Sequence, residues 1–146
     1  MTFEDLKLHN SLQKAVKDQN YETPTSIQAK AIPLILDRND VLGTAQTGTG
    51  KTAAFSLPIL HHLENESQNQ GKRKVKALIV TPTRELAIQI AENFTDYSKY
   101  NSIKNTVIYG GVKQMKQVKR LDAGVDVLIA TPGRLLDLIG QGYITL

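Results

Sequence analysis

Short apolar runs alternate along the chain with stretches whose apolar residues recur at helical spacing. The runs are DVLGTA (40–45), KALIVT (76–81), TVIYGG (106–111) and VDVLIAT (125–131), each rich in Val, Ile or Leu and each stopping at Gly, Thr or Thr-Pro. After KALIVT, Leu86, Ile90 and Phe94 fall on one helix face at i, i+4 and i+8. Strands buried on both faces and separated by helices predict an α/β fold, a parallel sheet flanked by helices. Two further helical stretches precede the first run, residues 10–19 and a segment starting near Thr25. The polar stretch ENESQNQGKRK (64–74) predicts an exposed loop, its KRK read as solvated charge rather than a nucleic-acid contact.

One device occurs twice. ALIVTPTREL (77–86) and VLIATPGRLL (127–136) each run a buried strand into Thr-Pro-x-Arg and then a helix. Proline suits the first helical turn, where its missing N–H would be unpaired anyway. Each joint therefore sets a helix N-terminus at the carboxyl edge of the sheet, where open α/β sheets bind ligands. Arg84 and Arg134 are placed there as candidate phosphate ligands, and a bland alternative pairs them with nearby carboxylates.

Composition narrows the chemistry. The 146 residues carry a net charge of +4, 40% hydrophobic residues and no cysteine, which excludes disulfide frameworks and thiolate metal sites. The three histidines, His9, His61 and His62, have no metal-ligand spacing and read as structural or solvated. No basic and apolar leader opens the sequence, and no apolar run reaches the roughly 18 residues that span a bilayer, so no membrane association and a cytoplasmic location are expected. The mild basic excess permits a polyanionic partner without demanding one.

Against that background AQTGTGKT (45–52) stands out. A phosphate-binding loop needs a strand, a glycine turn and a helix whose first amides face the phosphates. Here the strand is 40–45, the turn is Gln46, Thr47, Gly48, Thr49 and Gly50, and the helix begins near Lys51. Lys51 would reach the β- and γ-phosphates, and the Thr52 hydroxyl would ligate magnesium. Ala45 replaces the usual opening glycine, but the position only has to leave a strand sharply, and alanine is the next smallest residue.

AQTGTGKT together with YETPTSIQ (21–28), PTRELA (82–87), GG (110–111) and TPGR (131–134) resembles the first RecA-like domain of DEAD-box ATP-dependent RNA helicases, over essentially the whole chain. In that family the leading alanine is the normal form. The resemblance implies a RecA-like P-loop NTPase sheet, ATP or ADP with Mg2+ as cofactors, and an RNA partner held by its sugar–phosphate backbone without regard to sequence. It assigns Gln28 to reading adenine and Tyr21 to packing on it, with Thr23 in the same motif and Phe3 as the family's upstream aromatic. A glutamine amide matches the donor–acceptor edge of adenine. Phe3 reads equally as a hydrophobic staple of the first helix. For RNA, the resemblance implies contacts from Pro82, Thr83, Arg84 and Glu85, from Gly110 and Gly111, and from Thr131, Pro132, Gly133 and Arg134. Lys113, Lys116, Lys119 and Arg120 would extend that basic edge, though a solvated helix face is the simpler reading.

Two positions depart from the pattern. Asn20 stands where glycine is usual, and Thr23 where a basic residue is common, so adenine stacking would be one-sided and affinity modest. The acid that holds magnesium is also missing from the motifs: the apolar runs end at Ala45, Thr81, Gly111 and Thr131, Asp126 lies at a strand start, and no Asp-Glu pair occurs. In the family an Asp-Glu-Ala-Asp segment follows TPGR and its helix. Residues 1–146 are therefore expected to be the amino-terminal part of the first RecA-like domain, with an incomplete sheet, without the second domain, and inactive alone. Strand 40–45 would then lack its neighbours, and the expected results are an exchanged or rearranged partner strand or a marginal, self-associating fold. The alternative class is a non-catalytic RNA- or nucleotide-binding module, and a third is an unrelated phosphate-loop enzyme.

Overall fold

A computed structural model describes residues 1–66 and 73–146. The chain divides into two compact units, Met1–Ser67 with Asp96–Ser102, and Gln68–Thr95 with Ile103–Leu146.

The first unit is helical: a 3-10 turn (Phe3–Leu6), α1 (Asn10–Asp18), α2 (Ser26–Leu36) and α3 (Lys51–Asn65). Thr25 starts α2 through a reciprocal box, its hydroxyl accepting from the Gln28 amide and its own amide donating to Gln28 Oε1 at 3.0 Å. Leu12, Val16, Ile32, Leu57 and Leu60 are fully or almost fully buried between these helices. The amino-terminal end of α1 is pinned to α3 by a polar cluster. His9 donates its backbone N–H to His61 Nδ1 at 3.1 Å, its ring lies 2.7 Å from Glu64, and Glu64 also accepts from Ser11 and from Asn101. His9, distant from His61 in sequence, is thus a close neighbour in space. Among the described residues no three metal-ligating side chains group to hold an ion.

The second unit holds the sheet. β1 (Ala77–Val80), β2 (Asn105–Ile108) and β3 (Val127–Ala130) are all parallel in the order β1-β3-β2, with α4 (Arg84–Tyr97), α5 (Met115–Asp122) and α6 (Pro132–Gly140) between and after them. β3 is buried at all four positions, as a central parallel strand must be. Ile108, Leu121, Leu128, Leu135 and Leu138 form its core. Buried Asp126, at the entry to β3, is satisfied by Arg73 at 2.7 Å and by the Lys104 amide at 2.9 Å. Arg73 of the KRK stretch is therefore half-buried and paired with a carboxylate rather than a fully solvated charge, and the middle of the 64–74 stretch, 67–72, lies outside the described residues. Among the described residues no helix is long and apolar enough to cross a membrane.

The α/β expectation holds with two corrections: only β3 is buried on both faces, β1 alternating half-buried and exposed positions, and residues 40–45 form no strand. Leu42 is 96% exposed. A strand exists only through backbone pairing, and the described residues offer this segment no neighbour. Its apolar pattern therefore has no ladder to join.

The histidine cluster makes stability depend on pH. Partial burial lowers the His61 pKa from its ordinary 6.5, His62 and His9 push the same way, and Glu64 opposes them. A histidine whose folded pKa is depressed binds fewer protons folded than unfolded. Its contribution is complete above the unfolded value and is lost as pH falls from there through the folded one. Melting temperature should fall as pH drops below 6.5, and fall less steeply in His61→Gln. An unchanged slope in that variant would contradict the assignment.

Candidate functional site

In the first unit the glycine turn builds as its sequence predicts. Gly48 and Gly50 both take positive φ, 78° and 81°, and α3 starts at Lys51. Thr49 Oγ1 donates to the Gln46 carbonyl at 2.6 Å, closing the turn over Thr47. Exposed Lys51 folds back onto the Ala45 carbonyl at 2.7 Å. Thr52 follows, half-buried, in the first turn of α3.

Gln28 ties this loop to α2. It is 4% exposed, and while its Oε1 accepts from Thr25, its Nε2 donates to the Gly50 carbonyl at 3.1 Å. An amide offers two lone pairs and two hydrogens, so one of each remains for a ligand. The approach is close: a Cβ on Gly50 would stand 2.2 Å from Gln28 Nε2. A cavity of about 500 Å³ opens here, lined by Phe3, Tyr21, Thr23, Gln28, Gly48 and Gly50 among others. The structure thus brings the 21–28 segment and the glycine loop to one cavity.

Two aromatic rings wall that cavity. Phe3 is buried and stacks at 6.0 Å and 27° on Tyr21, which is partly exposed and bonds through its hydroxyl to Tyr97 at 3.3 Å. Burial, with Tyr21 second, pushes the Tyr97 phenol far above its ordinary pKa, so it stays protonated. Phe3 and Tyr21 thus line the cavity as a stacked pair. Asn20 takes φ of 60°. That explains a position where glycine is usual, since asparagine tolerates the left-handed region better than other side chains.

In the second unit the parallel register Val80↔Ala130 and Ile108↔Ala130 brings three loops to one carboxyl edge: 81–84, 109–112 and 131–134. Thr83 Oγ1 accepts from the Leu86 amide at 3.2 Å, leaving Pro82, Arg84 and Glu85 exposed at the start of α4. The Arg84 guanidinium lies 4.8 Å from the Tyr109 ring centroid. Gly110 and Gly111 meet nothing within 4 Å on the side a Cβ would occupy, and Gly111 has φ of 81°. Thr131 precedes α6 without a side-chain capping bond, Pro132 takes its first turn, and Gly133 is exposed.

Arg134 is positioned differently from Arg84. It donates from Nη1 to Gln117 Oε1 at 3.1 Å and from Nη2 to the Val112 carbonyl at 2.8 Å, and lies 3.8 Å from Asp137. Lys113, Lys116, Lys119 and Arg120 are exposed. Sequence reasoning missed Gln117, which is 5% exposed. Its signal was a polar residue one turn before buried Leu121, on the apolar face of α5.

A glycine loop feeding a helix N-terminus, and a parallel sheet with two Thr-Pro-x-Arg joints on its carboxyl edge, define an α/β protein of the phosphate-loop class. The DEAD/DEAH box helicase family model matches residues 25–145, and the chain belongs to that family. It is 43% identical over 144 residues to an ATP-dependent RNA helicase RhlB of Histophilus somni, covering 99% of this chain and 34% of that protein. It is 46% identical over 146 residues to ATP-dependent RNA helicase DeaD of Klebsiella pneumoniae, and 41% over 145 to DEAD-box ATP-dependent RNA helicase 24 of Arabidopsis thaliana. It covers 99% of itself in both, but only 22% and 19% of those relatives. The chain therefore spans between a fifth and a third of the curated relatives it matches.

The contact at Gly50 gives a direct test. Gly50→Ala sets a side chain at positive φ and drives its Cβ into Gln28. The variant should lose roughly 1–3 kcal/mol in denaturant unfolding. Stability equal to that of the parent chain would show that the loop and α2 are not held together this way.

Proposed function

We propose that this chain supplies the ATP site and part of the RNA-binding surface of an ATP-dependent RNA helicase. The observation that carries the reading is the Gln28–Gly50 contact, which puts an adenine-matching amide and a phosphate-binding loop on one cavity within a single unit. Adenine sits against Tyr21 and takes the remaining lone pair and hydrogen of Gln28. The phosphates lie over residues 47–52, where the free amides at the start of α3 point. Lys51 exchanges the Ala45 carbonyl for a phosphate oxygen, trading a neutral hydrogen bond for a charge-assisted one.

Mg2+ fits as a partner of the phosphates rather than of a protein cage. It prefers hard oxygen donors and keeps waters, and Thr52 offers one hydroxyl beside the loop. When bound it would neutralise charge on the β- and γ-phosphates. No carboxylate in the phosphate-loop motif is assigned to orient water, so the residues of this chain are proposed to bind nucleotide without turning it over alone.

The carboxyl edge of the sheet is proposed to carry RNA. Arg84 is exposed and already oriented by Tyr109, and the open side of Gly110 and Gly111 lets a sugar–phosphate backbone approach the main chain. Thr83, Thr131 and the helix starts behind Pro82 and Pro132 add donors that read no base. Duplex unwinding belongs to the complete protein.

In the complete protein Lys51→Ala should reduce RNA-stimulated ATP hydrolysis to background, because the charge that stabilises the transferring phosphoryl group is removed. Steady-state ATPase assays check this, and an unchanged rate would remove the phosphate-loop assignment.

A further inference from the structure

Gln117 has a chemistry that the motifs of the carboxyl edge do not account for. It is 5% exposed on α5, yet both polar atoms of its amide are satisfied. Nε2 donates to the Tyr109 carbonyl at 3.0 Å, and Oε1 accepts from Arg134 Nη1 at 3.1 Å. The orientation of the amide is dictated by its partners, since a carbonyl needs a donor and a guanidinium needs an acceptor.

The two bonds bracket the glycine pair. Tyr109 precedes Gly110, and the Val112 carbonyl after Gly111 accepts from the second Arg134 nitrogen at 2.8 Å. Gln117 and Arg134 thus grip the main chain immediately before and immediately after the two residues least able to hold their own conformation. Tyr109 also carries the Arg84 guanidinium on its ring, 4.8 Å from the centroid. One buried amide therefore fixes Arg134, the Gly110–Gly111 main chain and, through Tyr109, the platform of Arg84.

We propose that Gln117 is a positioning residue for RNA binding, acting through Arg134 and the glycine loop without touching RNA itself. The proposal rests on the RNA-binding reading of the carboxyl edge. Pre-organisation of this kind matters because every ligand group ordered in advance need not be ordered on binding.

The test is a double-mutant cycle in the complete protein, read as affinity for an unstructured single-stranded RNA. Gln117→Met keeps the volume and removes both hydrogen bonds. It should weaken RNA binding about tenfold. In an Arg134→Ala background the same substitution should weaken binding by clearly less than tenfold, because only the route through the Tyr109 carbonyl and the glycine loop is left. A merely structural role would give penalties that add, and additivity overturns the proposal, as does parental affinity in Gln117→Met. Gln117→Glu, which keeps the acceptor for Arg134, is the second variant should the methionine form fail to fold. It should bind RNA more tightly than Arg134→Ala, and equal or weaker binding overturns the proposal. If the unsubstituted protein binds no RNA, the reading of the edge fails and the positioning role falls with it. If the unsubstituted protein binds RNA and the cycle is additive, only the role of Gln117 fails.

Discussion

The Gln28 side chain holds together what the sequence presents as two separate motifs. Its carbonyl closes the amino-terminal box of α2, and its amide nitrogen reaches the last residue before α3. A buried primary amide is costly to leave unpaired, at about 1–3 kcal/mol per group. The box and the glycine loop therefore stabilise one another. Gly50 is part of the same constraint, because both its left-handed backbone and its missing Cβ are needed for the approach. The free half of the amide then faces the cavity that Tyr21 and Phe3 wall on the other side.

A second unit repeats the logic with different groups. Three parallel strands end level with one another, and their following loops inherit a common edge. What happens at that edge is decided by short polar contacts: Thr83 at the start of α4, Gln117 beneath the glycine pair, and Arg134 across the Val112 carbonyl. The two arginines of the repeated joint serve this edge unequally. Arg84 lies exposed against an aromatic ring, whereas Arg134 spends two donors on the protein.

Much of this was legible in advance. The runs at 76–81, 106–111 and 125–131 became β1, β2 and β3 because their apolar segments pair with one another, β3 lying between the other two. DVLGTA is also a short apolar run and forms no strand, since pairing depends on a neighbour that local pattern does not encode. The glycine loop and the start of α3 were readable from backbone requirements alone. The Phe3–Tyr21 stack, the meeting of His9 with His61, and the pairing of Arg73 with Asp126 were not, because each joins residues far apart in sequence. Asn20 departs from the family pattern, and its φ of 60° is a left-handed conformation that asparagine, like glycine, tolerates. Gln117 escaped because a glutamine within a basic helix reads as surface until its burial is known.

Gln28 braces the glycine loop and is proposed also to recognise the base. The most direct test compares ATP and GTP binding by the complete protein with and without Gln28→Ala. Guanine reverses the donor–acceptor edge that the remaining half of the amide would meet. The account predicts that the parent prefers ATP and that Gln28→Ala loses both that preference and nucleotide affinity. A variant that kept the parent's preference for ATP over GTP would contradict it.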